Sequence, residues 1–393
     1  MGAGLVATVV VGLAAPAQAA FPGENGNVAF TRNLDIWVTD PAGRVQTRLT
    51  DRGVNEGPAY SPDESRIVFS RPFGAGNFEV VAMDSDGTDV TRLTSRDGFD
   101  GSPSFSPSGQ RIVFSSDRND GGIFVMRSDG TRVRNLTERK GSSAMFSPDG
   151  SQITFDRQPG GVQAYSKLFI MDSDGTNVRR VTDAGSDVDE RDPSFAPDGS
   201  RIAFERFDLD RIDFPDGEGI FTVEPDGSDL MQVTFASNLY DDASPAYSPD
   251  GGRIVFERHF NCPDDECRVD LRTVAANGTD LRQVTSTGPA PSPDWGSEGS
   301  VFAPATASCN DRDATLVGTF RQDLIRGTGE RDVIAGLGGD DTVMGRGGND
   351  LICGGDGADQ LKGGEGTDGC RGGAGEDSLN GCERRLERSS SAR

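Results

Sequence analysis

Aspartates recur at every ninth position near the C-terminal end of the chain. Seven of them keep this spacing, each five residues after a glycine: Asp323, Asp332, Asp341, Asp350, Asp359, Asp368 and Asp377. Carboxylates, together with main-chain carbonyls exposed by glycine-rich turns, supply the six to eight oxygen ligands that calcium prefers at about 2.3–2.6 Å. The pattern therefore predicts a row of calcium-binding sites.

A nine-residue unit must position these carboxylates. Six residues would form a turn and three a short strand, whose apolar residue points inward. The starting glycines are Gly318, Gly327, Gly336, Gly345, Gly354, Gly363, Gly372 and Gly381, and the inward residues are Ile325, Ile334, Val343, Ile352, Leu361, Cys370 and Leu379. Two units make one coil, so each ion would lie between aspartates eighteen residues apart. The expected pairs are Asp323/Asp341, Asp332/Asp350, Asp341/Asp359, Asp350/Asp368 and Asp359/Asp377.

The nonapeptides also resemble a known family. Residues 354–362 fit the consensus GGxGxDxUx at every fixed position. The repeats are similar to RTX, or haemolysin-type, repeats, and the resemblance implies calcium as the cofactor of a small parallel β-roll over residues 318–382. The first two repeats depart from the consensus, because Arg321 and Glu330 stand where the fourth-position glycine belongs. A disordered acidic linker is the alternative, and the regular inward residues disfavour it.

A longer repeat fills the chain before the roll. Six tetrads begin at Ser61, Ser106, Ser147, Ala196, Ser248 and Ser292, 41 to 52 residues apart. Alternating strands end in phenylalanine at Phe30, Phe69, Phe114, Phe155, Phe204 and Phe256, and hairpin turns follow at Gly43, Gly87, Gly130, Gly175, Gly227 and Gly278. Asp-Gly and Asn-Gly pairs suit tight hairpins because both residues tolerate positive φ. Each unit reads as four short antiparallel strands, so the fold class is all-β, with a six-bladed β-propeller ahead of the roll.

The propeller repeats carry a second resemblance. A tetrad such as Ser147-Pro148-Asp149-Gly150, a strand ending in phenylalanine, and an Asp-x-Asp-Gly turn resemble the TolB-type (WD40-like) propeller repeat. The resemblance covers residues 21 to about 296 and implies the propeller fold. It covers the repeats alone, so the envelope role of TolB is not carried over. The Asp-x-Asp-Gly turns, which also look like calcium loops, are interpreted as plain hairpins.

The two ends of the propeller are expected to meet. The sixth tetrad has no strand to phenylalanine after it, whereas the first such strand, at residues 27–30, has no tetrad before it. Residues around Pro289 to Pro291 would then supply the innermost strand of the first blade, which removes open sheet edges. The expected divisions are a signal peptide at 1–20, the propeller at 21–298, a linker at 299–317, the roll at 318–382 and a disordered tail at 383–393.

Acidic residues recur where the chain enters the innermost strands. Asp100, Glu190 and Asp242 stand three residues before prolines, and Asn55 holds the matching place. With the flanking Glu56 and Asp192, they are expected to form an acidic tunnel mouth that binds a metal ion, an amine or a basic peptide. An acidic rim that only faces solvent is the alternative.

Six cysteines divide by position. Cys262 and Cys267 bracket a short loop and are expected to form a local disulfide. For the other four, we favour pairing Cys370 with Cys382 and Cys309 with Cys353, although four cysteines allow three connectivities and the sequence does not choose among them. Zinc binding is the alternative, which the spacings and the lone His259 disfavour.

Catalysis is not expected from these residues. The chain has one histidine and no G-x-S-x-G elbow. We therefore predict a secreted calcium-binding protein whose propeller is a protein- or ligand-binding platform. The alternative is a calcium-dependent propeller hydrolase, lactonase- or phytase-like, with its site in the central tunnel.

The net charge and the N-terminal segment indicate which partners and which location to expect. The net charge of −24 disfavours nucleic acid and anionic membranes, because phosphates would be repelled. Residues 5–15 are apolar, and a small-residue cleavage pattern follows at residues 16–20, as in a signal peptide. No later run is long enough to span a bilayer. An extracellular or cell-envelope protein, monomeric and with oxidised cysteines, is expected.

Overall fold

The computed structural model describes residue 21 and residues 25–385. The gaps are 52, 75, 119–120, 138–140, 160–164, 184, 186, 209–217, 236–239, 261–268, 286–293, 298–307, 311 and 319–321. The expected signal peptide, the Cys262–Cys267 pair and the expected strand around Pro289 to Pro291 lie outside the described residues. The described elements are β-strands, so the all-β fold class is confirmed. None of the described segments is a helix of the length and apolarity needed to cross a bilayer.

The described residues before position 290 form twenty-three short strands. The first unit contributes β1 (Asn25–Arg32), β2 (Asp35–Thr39) and β3 (Val45–Arg48). Blade 2 contains β4 (Glu56–Tyr60), β5 (Arg66–Pro72), β6 (Phe78–Asp84) and β7 (Thr91–Arg92). Blade 3 contains β8 (Asp100–Phe105), β9 (Arg111–Ser116), β10 (Gly122–Arg127) and β11 (Arg134–Asn135). Blade 4 contains β12 (Ser142–Phe146), β13 (Gln152–Arg157), β14 (Lys167–Asp172) and β15 (Arg179–Arg180). Blade 5 contains β16 (Val188–Phe195), β17 (Ile202–Asp208), β18 (Gly219–Val223) and β19 (Met231–Gln232). Blade 6 contains β20 (Tyr240–Tyr247), β21 (Arg253–Phe260), β22 (Val269–Ala275) and β23 (Arg282–Gln283).

Strands of the roll follow a short connecting segment. The strands after residue 290 are β24 (Asp294–Ser297), β25 (Ser308–Cys309), β26 (Arg312–Asp313) and the roll strands β27 (Leu316–Val317), β28 (Asp323–Arg326), β29 (Val333–Gly338), β30 (Thr342–Gly347), β31 (Leu351–Asp356), β32 (Gln360–Glu365), β33 (Gly369–Ala374), β34 (Ser378–Asn380) and β35 (Arg384–Arg385). Of these, β24 belongs to the propeller, and β25 and β26 form a small hairpin.

The prediction of six separate blades requires a correction, because the described structure has five. Blades 2 to 6 are separate four-stranded antiparallel sheets, whereas the first unit lies within an eight-stranded sheet. In that sheet β24 pairs with β1, and β28 of the roll pairs antiparallel with β3. The outer strand β3 has four residues, whereas the outer strands of blades 2 to 6 have two each. Among these described outer strands, β3 is therefore the one whose edge is long enough for another strand to extend the sheet.

The two ends of the propeller meet at the first unit through β24, which begins at Asp294. Strand β24 pairs antiparallel with β1, with Val28 opposite Trp295 and Ala29 opposite Asp294. It also contacts β4 and β20, the innermost strands of the two neighbouring blades. The C-terminal end of the propeller thus completes its N-terminal unit.

The strand-ending phenylalanines form the core between blades. Phe30, Phe69, Phe114, Phe155, Phe204 and Phe256 are all completely buried. Phe114, Phe155 and Phe204 each contact an aromatic ring on the next strand of the same blade, and Phe155 stacks on Phe169 with ring centroids 5.8 Å apart.

The roll consists of two parallel sheets with a narrow apolar core. One sheet contains β27, β29, β31, β33 and β35, and the other contains β28, β30, β32 and β34. Partners from β27 to β34 are eighteen residues apart, as in Val343 opposite Leu361, so two nonapeptides form one coil as predicted. The last strand, β35, pairs with β33 at a spacing of fifteen residues, as in Gly369 opposite Arg384. The core is lined by Leu316, Ile325, Ile334, Val343, Ile352, Leu361 and Cys370.

Two disulfides reinforce the roll. Cys309 is bonded to Cys353, and Cys370 is bonded to Cys382. The first joins the hairpin before the roll to β31, and the second ties β33 to the turn after β34. Both favoured pairings are present, and such bonds form in oxidising compartments.

Candidate functional site

The nonapeptide aspartates form a ladder of two rows, one beside each sheet of the roll: Asp323, Asp341, Asp359 and Asp377 in one row, and Asp332, Asp350 and Asp368 in the other. Each main-chain N–H donates to the Oδ1 atom of the aspartate eighteen residues later. The N···O distances are 2.9 Å for Asp323 to Asp341, 2.8 Å for Asp332 to Asp350, 2.9 Å for Asp341 to Asp359, 2.8 Å for Asp350 to Asp368 and 3.0 Å for Asp359 to Asp377. The structure therefore brings together all five of the expected pairs.

The second oxygen of the interior aspartates has no partner. The Oδ2 atoms of Asp341, Asp350, Asp359 and Asp368 are buried without a hydrogen bond. At Gly336, Asp341 Oδ2 and the carbonyl oxygen of Gly354 lie 2.4 Å and 2.3 Å from the position that a Cβ would occupy. Glycine is required there because a side chain would fill this space. A carboxylate oxygen and a carbonyl oxygen converge on it instead.

Burial and like charge make this ladder costly without a cation. Burial, reinforced by the neighbouring aspartates, raises the pKa of Asp341 to about 9 and that of Asp350 to about 6. Among the described residues, no group of three or more His, Cys, Asp or Glu side chains could hold a metal ion without other ligands. Calcium would need carbonyls beside the carboxylates, and the glycine turns supply them. The donor set fits calcium, which would neutralise these carboxylates.

The first repeats differ in the way that their sequence suggests. The N–H and hydroxyl of Thr328 donate to Asp332 Oδ2 at 2.7 Å and 2.9 Å. The threonine that replaces the consensus glycine thus satisfies the oxygen that is left unpartnered in later repeats. Asp323 is buried within β28, beside the propeller.

A second candidate site is a cavity of about 530 Å³ where the blades converge. Two rings of residues line it. In one ring, each residue directly follows a strand phenylalanine in sequence. This ring consists of Thr31, Ser115, Asp156, Glu205 and Glu257. The other lies at positive φ, between about 50° and 61°, in the innermost strands, and consists of Gly57, Ser102, Ser143, Asp192 and Ser244.

Carboxylates concentrate on the side of the cavity formed by blades 4 to 6. Burial raises the pKa of Asp156, Glu205 and Glu257, and burial with the charge of Asp156 raises the pKa of Asp192 to about 8. Asp156 Oδ1 and Glu257 Oε1 are buried without a hydrogen bond. This side of the cavity therefore favours a cationic group.

His259, the only histidine, lies at the same cavity. Its Nε2 atom is 2.6 Å from Glu257 Oε2. Burial lowers the pKa of His259, but the hydrogen bond and charge of Glu257, with Asp241 and Asp242, raise it above its ordinary value overall. The imidazole ring is thus held against a carboxylate.

The expected tunnel-mouth residues are not brought together. Glu56 and Asp192 line the cavity. The other four residues are buried and form hydrogen bonds or ion pairs within the protein: Asn55, Asp100, Glu190 and Asp242. Asp242 accepts two bonds from Arg258, at 2.6 Å and 2.7 Å, and Asp100 is paired with Arg118. Glu190 accepts a bond from the Thr182 hydroxyl, and Asn55 donates to Thr50 and accepts from Arg71.

A β-bulge explains the difference. The innermost strands shift register between Glu56 and Ala59, and between Arg191 and Ser194, with equivalent shifts in blades 3, 4 and 6. A bulge inserts a residue and re-aims the side chains around it. The residue just before the proline, such as Asp192, faces the cavity. The residue three before it points into its own blade.

Sequence reasoning missed Asp156, Glu205 and Glu257. A signal for them exists, because each directly follows the strand phenylalanine of its blade, as Thr31 and Ser115 do. One polar residue at the same phase of every repeat is typical of a ring around an axis.

The buried carboxylates predict that the stability of the propeller depends on pH. Because the pKa of Asp192 is about 8 in the folded protein, against an ordinary 3.8, the folded state retains a proton that the unfolded chain releases. Stability should fall as pH rises from about 4 to about 8, at most by about 1.4 kcal/mol per pH unit for one group. Melting in EDTA should occur at a lower temperature at pH 8 than at pH 5.

The Asp192→Asn variant should flatten this slope and melt higher than the wild type at pH 8. Its amide oxygen can still accept the bond that the Ser143 hydroxyl donates at 2.6 Å. The matched control is Asp226→Asn, an exposed hairpin carboxylate whose pKa is lowered by its bonds to Ser228. Parallel slopes in the wild type and Asp192→Asn would contradict the assignment.

Comparison with known proteins agrees with this architecture. The TolB beta propeller domain matches residues 27–164 and 138–322, and the RTX calcium-binding nonapeptide repeat (4 copies) matches residues 317–352 and 347–379. The crystal structure of TolB from Acinetobacter baumannii is similar, with a TM-score of 0.57 and 22% identity over 70% of this chain and 68% of that one. A chain of the nidogen/laminin complex has a TM-score of 0.52 and 12% identity, over 68% of this chain and 97% of that one. Curated proteins show no match.

At these identities, the structural neighbours establish the fold alone. The family matches go further, because the propeller match spans well over half of the chain and the repeat match covers the coils that contain the aspartate ladder. The chain therefore belongs to the TolB beta propeller domain family and carries RTX calcium-binding nonapeptide repeats at its C-terminal end.

Proposed function

We propose that this is an extracellular or cell-envelope protein whose calcium-loaded roll stiffens one side of a propeller that captures a cationic group of a partner. The observation that carries the binding role is the cluster of Asp156, Asp192, Glu205 and Glu257 around the cavity. All four side chains are almost fully buried, and burial raises the pKa of each. An entering cation would restore their ionised forms.

The arrangement supports an organic cation as the ligand. Among the described residues at this cavity, no three His, Cys, Asp or Glu side chains are placed to hold a metal ion by themselves. The cavity volume of about 530 Å³ is within the range of small-molecule sites and could admit an arginine or lysine side chain. The hydroxyls of Ser102, Ser143 and Ser244 could accept hydrogen bonds from the N–H groups of this side chain.

The aspartate ladder supports the calcium role, and its sheet supports the stiffening. Strand β28, which carries Asp323, pairs with β3 of the propeller. Ordering the roll around calcium would therefore fix the outer edge of the first unit. The two disulfides and the calcium repeats support a location outside the cytoplasm.

A tri-arginine peptide tests the cavity. Titrated calorimetrically into the calcium-loaded full chain, it should bind the wild type. The double variant Glu205→Gln and Glu257→Gln should bind at least about tenfold more weakly, because two charge-assisted contacts are lost. The matched control is Asp174→Asn with Asp226→Asn, which removes the same charge from two exposed hairpins. Equal loss in both variants would show that net charge alone attracts the peptide and would refute the site.

A further inference from the structure

The repeats allow one position to be compared across five blades. It is the second residue after the hairpin glycine, and its φ lies between 50° and 58° in Asp89, Arg132, Asn177, Asp229 and Asp280. Aspartate and asparagine tolerate this left-handed region much better than most residues. Blade 3 alone places an arginine there, which is an unfavourable choice for the backbone.

In blades 5 and 6 the aspartate at this position has a defined partner. Arg201 donates to the Oδ2 atom of Asp229 at 2.5 Å, and Arg253 donates to that of Asp280 at 2.8 Å. Each guanidinium also donates to a threonine hydroxyl, on Thr222 or Thr273. Two acceptors within the blade thus satisfy the arginine at the start of the second strand, which lies directly before β17 in blade 5 and at the first position of β21 in blade 6.

Blade 3 keeps this arginine and lacks both acceptors. Arg111 begins β9 and lies over the ring of Phe146, 4.9 Å from its centroid. The aspartate is replaced by Arg132, and the threonine is replaced by Val125, which pairs with Val113 as Thr222 pairs with Ala203. An aspartate accepts hydrogen bonds and an arginine donates them, so Arg132 also makes this position positively charged instead of negatively charged.

These arginines surround a cavity of about 300 Å³. It is lined by Gln110, Arg111, Val125, Met126, Arg127, Arg132 and Arg134. In the described part of the chain, none of the four arginines has a carboxylate partner within 4.0 Å. The nearby Asp129 and Asp174 are bonded to Thr131 and Thr176 of their own turns and do not line the cavity.

We propose that this cavity binds clustered carboxylates supplied from outside the chain. An external carboxylate would take the place that Asp229 and Asp280 occupy in their blades. Four guanidinium groups can neutralise more than one negative charge, so the ligand carries several carboxylates, either as a short acidic protein segment or as a small polycarboxylate. The ligand is compact, because the remaining surface of a chain with net charge −24 repels a long polyanion.

Calorimetry on the full chain at low salt tests the proposal, with a tri-aspartate peptide and citrate as probes and a tri-asparagine peptide as the neutral control. The Arg132→Asp variant restores the aspartate of blades 2, 5 and 6 and gives Arg111 an internal partner. It should bind at least about tenfold more weakly than the wild type, and its melting temperature should hold or rise. The control Arg282→Asp makes the same charge change on the equivalent outer hairpin of blade 6 and should bind like the wild type.

Each outcome decides the proposal. If tri-aspartate binds and Arg132→Asp weakens this binding while Arg282→Asp does not, the ligand is an acidic protein segment. If only citrate binds, and Arg132→Asp alone weakens its binding, the ligand is a small polycarboxylate. Should Arg132→Asp fail to fold, Arg132→Asn, the residue type of blade 4, removes the charge without filling the cavity and should weaken binding too. The proposal is overturned if neither probe binds the wild type, or if Arg132→Asp and the control Arg282→Asp weaken binding equally. It is also overturned if tri-asparagine binds as tightly as tri-aspartate.

Discussion

Replacing β24 (Asp294–Ser297) with Gly-Pro-Gly-Pro is expected to lower the melting temperature of the whole propeller by about 10 °C. The strand pairs with β1 and contacts β4 and β20, so its loss leaves the first unit with an open inner edge. A proline has no main-chain N–H to donate to the neighbouring strand β1. The lost ladder bonds and packing amount to roughly 3–5 kcal/mol, and in a domain of this size about 2–3 °C of melting temperature corresponds to each kcal/mol.

The packing of β1 explains why the effect should spread. Val28 is completely buried against Ala246 and Val255 of blade 6, so the first unit and the last blade share one apolar cluster. Opening the inner edge of β1 would expose this cluster as well.

A matched control separates ring closure from a general effect of proline. Gly-Pro in place of Arg179–Arg180 alters β15, an outer strand whose two side chains are exposed. That variant should melt within about 3 °C of the wild type. Differential scanning calorimetry of both variants checks the prediction, and an unchanged melting temperature in the β24 variant would show that the ring closes elsewhere.

Features with a local cause could be predicted from the sequence. The phenylalanine at the end of each second strand and the inward residue of each nonapeptide follow from side-chain alternation within a few residues. All six strand phenylalanines are buried, and the predicted inward residues Ile325 through Cys370 are buried in the core of the roll. The eighteen-residue coil could likewise be predicted, because two nine-residue turns must close it.

Features that depend on distant parts of the chain could not be predicted. Residues 45–48 and 323–326 are far apart in sequence, and nothing local in either indicates that they pair. The first unit therefore merges with the roll instead of forming a sixth separate blade. At the cavity, the bulge before each proline moves the cavity-facing position by two residues, from Glu190 to Asp192 in blade 5. Hydrophobic alternation carries no signal for such an insertion.

The other large effect is expected on calcium binding. Titrating calcium into metal-free protein should protect main-chain amides of β29 to β34 from hydrogen exchange, with midpoints on the order of 10⁻⁴–10⁻³ M, as in extracellular calcium modules. Without calcium, the buried carboxylates of Asp341, Asp350, Asp359 and Asp368 repel one another, and their Oδ2 atoms have no partner. Local opening of the roll should then be frequent, whereas the propeller blades should keep their protection.

Substitutions along the ladder should rank by position. Asp350 accepts the N–H of Asp332 and donates its own N–H to Asp368, so it belongs to two successive pairs, whereas Asp323 belongs to one. Asp350→Asn should therefore shift the calcium midpoint upward by at least about tenfold, and Asp323→Asn by less. Asp356→Asn is the matched control, because its carboxylate is an exposed one on β31, outside the ladder. It removes the same charge and should leave the midpoint within about twofold. If the control shifted the midpoint as far as Asp350→Asn, the total charge of the roll would govern calcium binding. Full amide protection in metal-free protein would show that the ladder is stable without the ion.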